Sequence, residues 1–275
     1  MGADTQLLAG LVALPVAGAW WFTVVLLDCR NAQRAGHRIF VPDKGVLTGR
    51  AASRRSRNAR AGAGFAAACG VLALYRLLAA APGTWSAALL ALCAGCLGAA
   101  LMAEQYLHRK RSTLLCTAVL AVVVTAGETI VALGGQPGTA VRVLAAIGVA
   151  QMYLVSAIRK AWSVPFRSGQ VLLDEVVLSC FQAAAGNTDF IRLISPRRLS
   201  RALSTGLAQR SCAWLAKLTI AIEMLLGLGV LGLLPATAVF ALAVLTHASF
   251  AVLSPRRITP FSVSAVALVA LAIGW

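Results

Sequence analysis

The chain has 275 residues, of which 59% are hydrophobic and only 12% are charged, and its mean hydropathy is +0.81. That leaves too little polar side chain to cover a water-soluble globule of this size, so lipid must be the solvent for most of the protein. The formal net charge of +16 would suggest a nucleic-acid partner for a soluble protein. Because the basic residues here stand in short segments between apolar runs, as they do in membrane proteins, we expect no nucleic-acid binding.

Eight apolar runs follow one another along the chain, each near the length of about 20 residues that crosses a bilayer as a helix. They are Leu7–Leu27, Ala61–Ala81, Trp85–Ala103, Leu114–Leu133, Val141–Ile158, Ala213–Leu234, Ala236–Leu253 and Ile258–Trp275. Since an open sheet edge cannot be satisfied in hydrocarbon, the sequence predicts an all-α fold, a polytopic transmembrane bundle of about eight helices. It also predicts two parts with four helices each, residues 1–140 and residues 141–275.

The basic residues are distributed unevenly among the connections between these runs. Of the 25 lysines and arginines, 22 fall in segments 28–60, 104–113, 159–212 and 254–257, whereas the other connections are uncharged. By the positive-inside rule, the basic connections face the cytoplasm and both termini lie outside. We therefore expect a multi-pass protein of a bacterial plasma membrane, with anionic lipid headgroups around its basic loops.

Two connecting segments are long enough to need an interpretation. The stretch Arg50–Arg60 is rich in Arg and Ser, which predicts a mobile basic arm. Segment 161–212 is too long for a simple loop and predicts structure of its own. Within it, an apolar face from Leu172 to Phe181, and leucines one turn apart from Leu199 onwards, indicate helices at the membrane interface between the fifth and sixth spans.

A few ionisable residues fall inside the apolar runs, where a charge is costly and marks either function or structure. Arg76 and Glu128 lie at similar depth in the second and fourth runs, so we interpret them as a structural ion pair. Glu223 lies about 15 Å into the sixth run, close to the midplane, and needs a partner or a proton. His247 lies towards the inner end of the seventh run.

The fifth run adds polar residues that lead towards its inner end. Tyr153, Ser156 and Lys160 are three and four positions apart, so they share one face of a helix. Together with Glu223 and His247 they form a candidate cluster in the inner half of the bundle. The alternative is that these residues form hydrogen bonds between helices that only fix the packing, and spacing alone does not separate the two interpretations.

The cysteines and the remaining motifs point to no further chemistry. Seven cysteines are scattered mainly through apolar runs, so we expect no disulfide framework of the secreted type. Cys93 and Cys96 form a C-x-x-C on one face of the third run, which we interpret as packing because it lies mid-helix among Ala, Gly and Leu. The sequence has no metal-ligand spacing, phosphate loop or Ser/His/Asp signature, and we expect no metal site.

The second half of the chain resembles the HTTM domain of vitamin K-dependent gamma-carboxylase-like membrane proteins. The residues that carry the resemblance are the run from Tyr153 through Ser156 and Arg159 to Lys160, the motif from Phe166 to Gly169, Glu223 in a later helix and His247 in the next. That group includes bacterial sporulation-delaying-protein maturation factors, and the related DoxX and MauE-like proteins share the Lys-then-Glu pattern. The likeness covers roughly residues 141–275.

The resemblance implies roles for individual residues. Lys160 matches the base that deprotonates vitamin K hydroquinone in the carboxylases, Arg159 stands beside it, and His247 matches a polar position on a later helix. A lysine partly withdrawn from water can act as a base near neutral pH, so the assignment is chemically sensible. The roles implied, with a quinone as the ligand, are catalytic for Lys160, His247 and Glu223 and ligand-binding for Tyr153, Ser156 and Arg159.

Three functions stay open from the sequence. The first is assistance in the maturation or modification of a peptide or protein. If that protein is an enzyme, it is a quinone-linked oxidoreductase or a carboxylase-like enzyme with Lys160 as its base. The second is a proton-coupled transporter or immunity protein in which Glu223 and His247 relay protons. The third is a structural subunit that stabilises a partner enzyme in the membrane.

Overall fold

The computed structural model describes residues 7–35, 39–41, 45–47, 49–79, 83–107, 112–184, 190, 193–254 and 258–274, and nearly all of them are helical. The helices are α1 (Leu8–Ala35), α2 (Gly49–Leu78), α3 (Thr84–Leu107), α4 (Ser112–Ala132), α5 (Gly138–Trp162), α6 (Val164–Arg167), α7 (Gln170–Ala184), α8 (Pro196–Ser204), α9 (Leu207–Leu228), α10 (Ala236–Leu253) and α11 (Thr259–Ile273). A π-helical turn, Gly229–Leu233, continues α9. A short antiparallel hairpin, β1 (Ile39–Val41) and β2 (Gly45–Leu47), lies between α1 and α2 in the chain.

Six helices are long and apolar enough to cross a membrane. They are α1 to α5 and α9 with its π-helical turn, and they contain 21 to 30 residues. About 20 residues are needed to span the hydrocarbon core, so length and composition indicate an integral membrane protein built as a helix bundle. The helices α10 and α11 are also apolar but shorter, so six of the eight expected spans are supported in this way.

The segment between the fifth and sixth spans folds into short helices with clear start signals. The Ser163 hydroxyl accepts a hydrogen bond from the Phe166 amide at 3.3 Å and so caps α6. The Ser195 hydroxyl does the same for the Arg198 amide at 3.4 Å, and Pro196 occupies the first turn of α8. Serine caps and first-turn prolines both favour helix initiation at these points. Helices are therefore present as α7 and α8 in the two places where the sequence predicts them.

The structure corrects the prediction made for Arg50–Arg60. This stretch is no mobile arm, because it forms the first part of α2, which continues unbroken to Leu78. Arg55 and Ala59 are buried within this stretch, whereas Arg57 is exposed. The prediction was wrong because a high density of arginine does not require every arginine to be solvated. Here Arg55 is neutralised by Glu104 of α3.

The chain divides into two compact units, and the first consists of Met1–Gly148 with Thr259–Trp275. Within this unit α11 packs against α1 and α4, and the hydroxyls of Ser264 and Thr117 are hydrogen-bonded at 3.0 Å. The eighth apolar run thus packs with the N-terminal helices. These units divide the chain differently from the division at residue 140 that the sequence predicts, because apolar periodicity gives no information about which helix is the partner.

Close contact between α1 and α2 in the first unit depends on a glycine. A Cβ atom at Gly62 would overlap the ring of Phe22, which is 2% exposed and packs directly on the α2 backbone. Such an approach is typical of membrane helices, where small residues allow the backbones to come together.

The second unit consists of Val149–Ile258 and contains the C-terminal part of α5 with α6 to α10. Gly169, between α6 and α7, has a φ of +79°, and a Cβ there would overlap the backbone of Ala213 in α9. The Gln209 side-chain amide of α9 donates a hydrogen bond to the Ser168 carbonyl at 2.5 Å. The turn after α6 is therefore fixed against the first turns of α9.

Candidate functional site

The first part of the site is a salt bridge between α5 and α9. Lys160 lies in the last turn of α5, and its Nζ donates a hydrogen bond to Oε1 of Glu223 in α9. The lysine side chain is 27% exposed, whereas the glutamate side chain is 8% exposed. Among the described residues, Oε2 of Glu223 has no hydrogen-bond partner. One carboxylate oxygen of Glu223 therefore remains available to accept a hydrogen bond.

The second part is a hydrogen bond between α5 and α10. The Tyr153 hydroxyl is hydrogen-bonded to Nε2 of His247, and both side chains are almost completely buried. The ring centroids are 6.1 Å apart, and the Phe250 ring stands edge-on to the imidazole at a centroid distance of 5.8 Å. A buried imidazole that is hydrogen-bonded to a phenol can pass a proton in either direction, depending on which ring nitrogen carries it.

The two pairs lie along one face of α5. Tyr153 and Lys160 are separated by two helical turns, or about 10 Å, and half-buried Ser156 lies between them on the same face. The structure thus places the predicted cluster on α5 as two successive pairs. Arg159, which the resemblance implies as a ligand-binding residue, is exposed.

Phe166 contributes a contact to the salt bridge for which the sequence gives no role. The Nζ atom of Lys160 lies 5.3 Å from the centroid of the Phe166 ring, and Phe166 itself is 8% exposed. A cation at this distance from an aromatic face is attracted by the ring, and the ring also shields it from water. The capped turn of α6 holds this ring in place, so the lysine is screened on one side and exposed on another.

Two further ion pairs lie in the first unit. Nε of Arg76 in α2 donates to Oε2 of Glu128 in α4 at 3.2 Å, and both side chains are buried. Nε of Arg55 in α2 donates to Oε1 of Glu104 in α3 at 2.8 Å, again with both side chains buried. The sequence predicts the first pair but not the second. Acidic residues are rare in this chain, which has only nine. An acidic residue at the end of an apolar run, such as Glu104, therefore indicates a buried basic partner.

The described part of the chain contains no group of three or more His, Cys, Asp or Glu residues that could hold a metal ion. All seven cysteines are free thiols, and Cys93 and Cys96 are half-buried in α3. The arrangement in the second unit offers groups for proton transfer and hydrogen bonding, namely Lys160, Glu223, Tyr153 and His247.

Comparison of the chain with models of protein families, with curated proteins and with solved structures gives no match.

Proposed function

We propose that this protein is a membrane protein of the HTTM or DoxX-like kind that assists the maturation or modification of a peptide or protein. Its working site consists of the Lys160–Glu223 and Tyr153–His247 pairs. The observation that carries the proposal is the salt bridge at the C-terminal end of α5, where a buried carboxylate meets a partly exposed lysine. Charged groups at membrane depth are expensive and are usually retained for function.

The salt bridge gives Lys160 a route to act as a base. A lysine that accepts a proton from a ligand must first lose its own, and Glu223 Oε1 already accepts a hydrogen bond from the Nζ atom that carries this proton. Oε2 of the same carboxyl is a second acceptor within the bundle. Glu223 is therefore the acceptor that can prepare Lys160 for general base catalysis. Because the lysine is partly exposed, the proton can leave the site again.

A quinone fits the donors that these residues offer. The two oxygens of a quinone accept hydrogen bonds, which Lys160 Nζ, the Tyr153 hydroxyl and the His247 imidazole can provide. Bound here, a quinone would supply two-electron chemistry coupled to two protons. The chain's own part is to bind the head group, exclude water on the Phe166 side and move protons through Lys160 and Glu223.

The proposal is tested by extracting lipid-soluble quinone from the purified protein and quantifying it by mass spectrometry. Lys160→Ala is the test variant, and Lys217→Ala is the matched control, because Lys217 is an exposed lysine of α9 beside the Trp214 ring. We expect a stoichiometric quinone in wild type and Lys217→Ala and its loss or weakening in Lys160→Ala. Wild-type protein without quinone, or equal occupancy in both variants, contradicts the proposal.

A proton-coupled transporter is a second candidate, and the order of groups along α5 favours it. Tyr153, Ser156 and Lys160, with partners His247 and Glu223, place proton-carrying groups at successive levels of one helix. This function predicts proton-coupled flux in liposomes that is abolished by Glu223→Gln and is indifferent to added quinone. Absence of flux in wild-type liposomes excludes this candidate.

The membrane topology is part of the proposal. We infer eight crossings with the basic connections in the cytoplasm, and α7 and α8 lying at the inner surface. Support comes from Arg197, Arg198 and Arg201 of α8, which are all exposed and suit anionic headgroups. Single cysteines introduced into a cysteine-free chain, at Ser200 for the inside and Gln136 for the outside, can be labelled in intact cells with an impermeant maleimide. Labelling of position 200 but not of position 136 would reverse the topology.

A further inference from the structure

The helix α7 has one buried face and one exposed face. Leu173 and Cys180 are buried, and α7 packs against α9 within the second unit. On the other side, Val171, Leu178 and Phe181 are 38%, 37% and 70% exposed. Because these three side chains stand at helical spacing, they form an apolar stripe along the exposed side of the helix.

Two carboxylates interrupt this stripe. Asp174 and Glu175 lie one turn after Val171 and one turn before Leu178, so their side chains project from the same face. Asp174 is exposed, and its Oδ1 accepts a hydrogen bond from the Gln170 side-chain amide at 2.7 Å. The helix itself contains no lysine or arginine. The exposed face of α7 is therefore both apolar and negatively charged.

A groove with a volume of about 430 Å³ follows this face. Its lining residues are Val171, Asp174, Glu175, Val177, Leu178 and Phe181. Four apolar and two acidic side chains thus face the same space. With 15 residues, α7 is about 22 Å long, which matches a partner helix of about four turns.

The two acidic residues of α7 differ from the others in the chain by their accessibility. The part of the chain that the structure describes contains four further acidic residues, and all four are buried: Asp28, Glu104, Glu128 and Glu223. Accessible carboxylates among the described residues are therefore confined to one face of one helix, in a chain with a net charge of +16. Such a local reversal of charge favours a positively charged partner.

The charge on α7 favours a basic peptide segment over lipid as the occupant of the groove. Helices that bury an apolar face in a membrane surface are usually rich in Lys and Arg, which anionic headgroups attract. The helix α8 has that composition, with Arg197, Arg198 and Arg201 exposed. The helix α7 has the opposite charge, so anionic headgroups repel it. A basic amphipathic helix complements it, because apolar residues fill the groove while a Lys or Arg pairs with Asp174.

We propose that the exposed face of α7 docks a basic amphipathic segment of the peptide or protein on which this membrane protein acts. That the segment belongs to a substrate rests on the proposed function. The position of α7 agrees with this role, because the Phe166 ring lies 5.3 Å from Lys160 Nζ and Val171 follows Phe166 by only five residues. Both α6 and α7 pack against α9, and they pack against each other. A segment docked on α7 is thus held near the Lys160–Glu223 pair.

The test measures binding of a synthetic peptide to the full-length protein in nanodiscs of phosphatidylcholine, whose headgroups carry no net charge. The probe is a fluorescently labelled helical peptide of leucine and lysine, with its leucines three and four positions apart. We expect saturable binding by fluorescence anisotropy, and weaker binding as salt is raised from about 0.05 M to about 0.5 M. The same residues in scrambled order, and the same pattern with glutamate in place of lysine, should bind no better to these nanodiscs than to empty ones.

Four variants at exposed positions locate the binding site without disturbing the core. Asp174→Asn should raise the Kd by about three- to tenfold, whereas Ser200→Lys in α8, which changes the net charge equally, should leave it within about twofold. Phe181→Ala should raise the Kd by about tenfold or more, whereas Leu203→Ala in α8 should not. Wild-type binding no stronger than that of empty nanodiscs, equal affinity in wild type and Asp174→Asn, or equally tight binding of the glutamate peptide would overturn the proposal.

Lipid as the occupant of the groove is tested at Val171, at one end of the stripe. Val171→Cys in a cysteine-free chain carries a fluorophore, and acrylamide, an uncharged quencher confined to water, reports its exposure. We expect strong quenching before the peptide is added and protection afterwards. A fluorophore that is already protected without peptide would assign this face of α7 to lipid and would overturn the proposal.

The quinone content of the same samples is a separate readout of the proposed function. Asp174→Asn and Phe181→Ala should keep as much quinone as wild type, because neither residue belongs to the Lys160–Glu223 or Tyr153–His247 pair. Peptide binding by a wild-type protein that holds no quinone would support the docking face and contradict the quinone chemistry. Quinone without peptide binding would have the opposite meaning.

Discussion

Tyr153 and Lys160 lie on the same face of α5, two turns apart, and each holds a different helix. Tyr153 contacts α10 through His247, and Lys160 contacts α9 through Glu223. Because α5 contributes one residue to each pair, a substitution can remove one pair and leave the other in place. Free energies measured for the two pairs should be nearly additive if the levels act independently.

Loss of the lysine should cost more stability than loss of the acid. Lys160→Met leaves the carboxylate of Glu223, which is 8% exposed, without its cation, whereas Glu223→Gln leaves a lysine that is 27% exposed and can turn to solvent. Buried pairs cost about 3–5 kcal/mol to break and exposed ones about 0–1 kcal/mol. For this partly buried pair, we expect the free energy of unfolding to fall by about 2 kcal/mol in Lys160→Met and by about 1 kcal/mol in Glu223→Gln.

That comparison is measured by equilibrium unfolding of the purified protein in mixed micelles with increasing dodecyl sulfate. Lys217→Met, at an exposed lysine of α9, serves as the control and should change the free energy by no more than about 0.5 kcal/mol. Equal losses for Lys160→Met and Glu223→Gln would argue against the asymmetry of burial.

The Arg55–Glu104 pair should be the more costly one to break, because both side chains are buried. We expect Arg55→Met to lower the free energy of unfolding by about 3–5 kcal/mol, since it removes the arginine that neutralises a buried carboxylate. Adding Glu104→Met should recover most of the loss, because two apolar side chains replace the pair. Arg57→Met, at an exposed arginine of the same helix, should be almost neutral. A double variant as unstable as Arg55→Met alone would mean that the pair is not the source of the loss.

The turn after α6 should tolerate no side chain at Gly169. Both Gly169 and Gly206 have positive φ, of +79° and +67°, but a Cβ at Gly169 would overlap the α9 backbone, whereas the space around Gly206 is open. Gly206→Ala should therefore cost only the left-handed conformation, about 1 kcal/mol. Gly169→Ala adds a backbone clash and should cost about 2–4 kcal/mol, measured by the same unfolding titration. Similar losses at the two positions would show that α6 and α9 are not in close contact.

The contact of α1 with α2 gives a similar pair of glycines. Gly62→Ala should destabilise the protein by about 1–3 kcal/mol, because its methyl group would overlap the buried Phe22 ring. Gly64→Ala, in the same helix but facing open space, should leave stability unchanged or raise it by about 0.5–1 kcal/mol through helix propensity. Thermal unfolding followed by circular dichroism in detergent distinguishes them, and a destabilising Gly64→Ala would count against this packing.

The spanning helices were predictable because lipid imposes a simple requirement, a run of about 20 apolar residues with its backbone bonded internally. The polar extensions of these helices were not predictable in the same way. α1 continues to Ala35 and α2 begins at Gly49, so most of the expected basic loop between the first two spans is helical. Nothing in hydropathy marks the point at which a helix that has left the bilayer ends.

The sequence groups the residues of the candidate site, but it predicts only part of the pairing among them. Spacing on α5 places Tyr153 and Lys160 on one face, but the choice of His247 for one and Glu223 for the other depends on the depths of α9 and α10. Those depths follow from tertiary contacts such as Gly169 against α9, which hydropathy does not encode.

The shortness of α11 has a consequence for assembly. A helix of 15 residues is about 22 Å long, less than the hydrocarbon thickness of about 30 Å. Inserted alone, it would leave a mismatch that the surrounding lipid must absorb by thinning. Ten of its residues are instead buried, and it packs against α1 and α4. Burial of α11 therefore depends on the presence of α1 and α4, and the short helix fills the cleft between them.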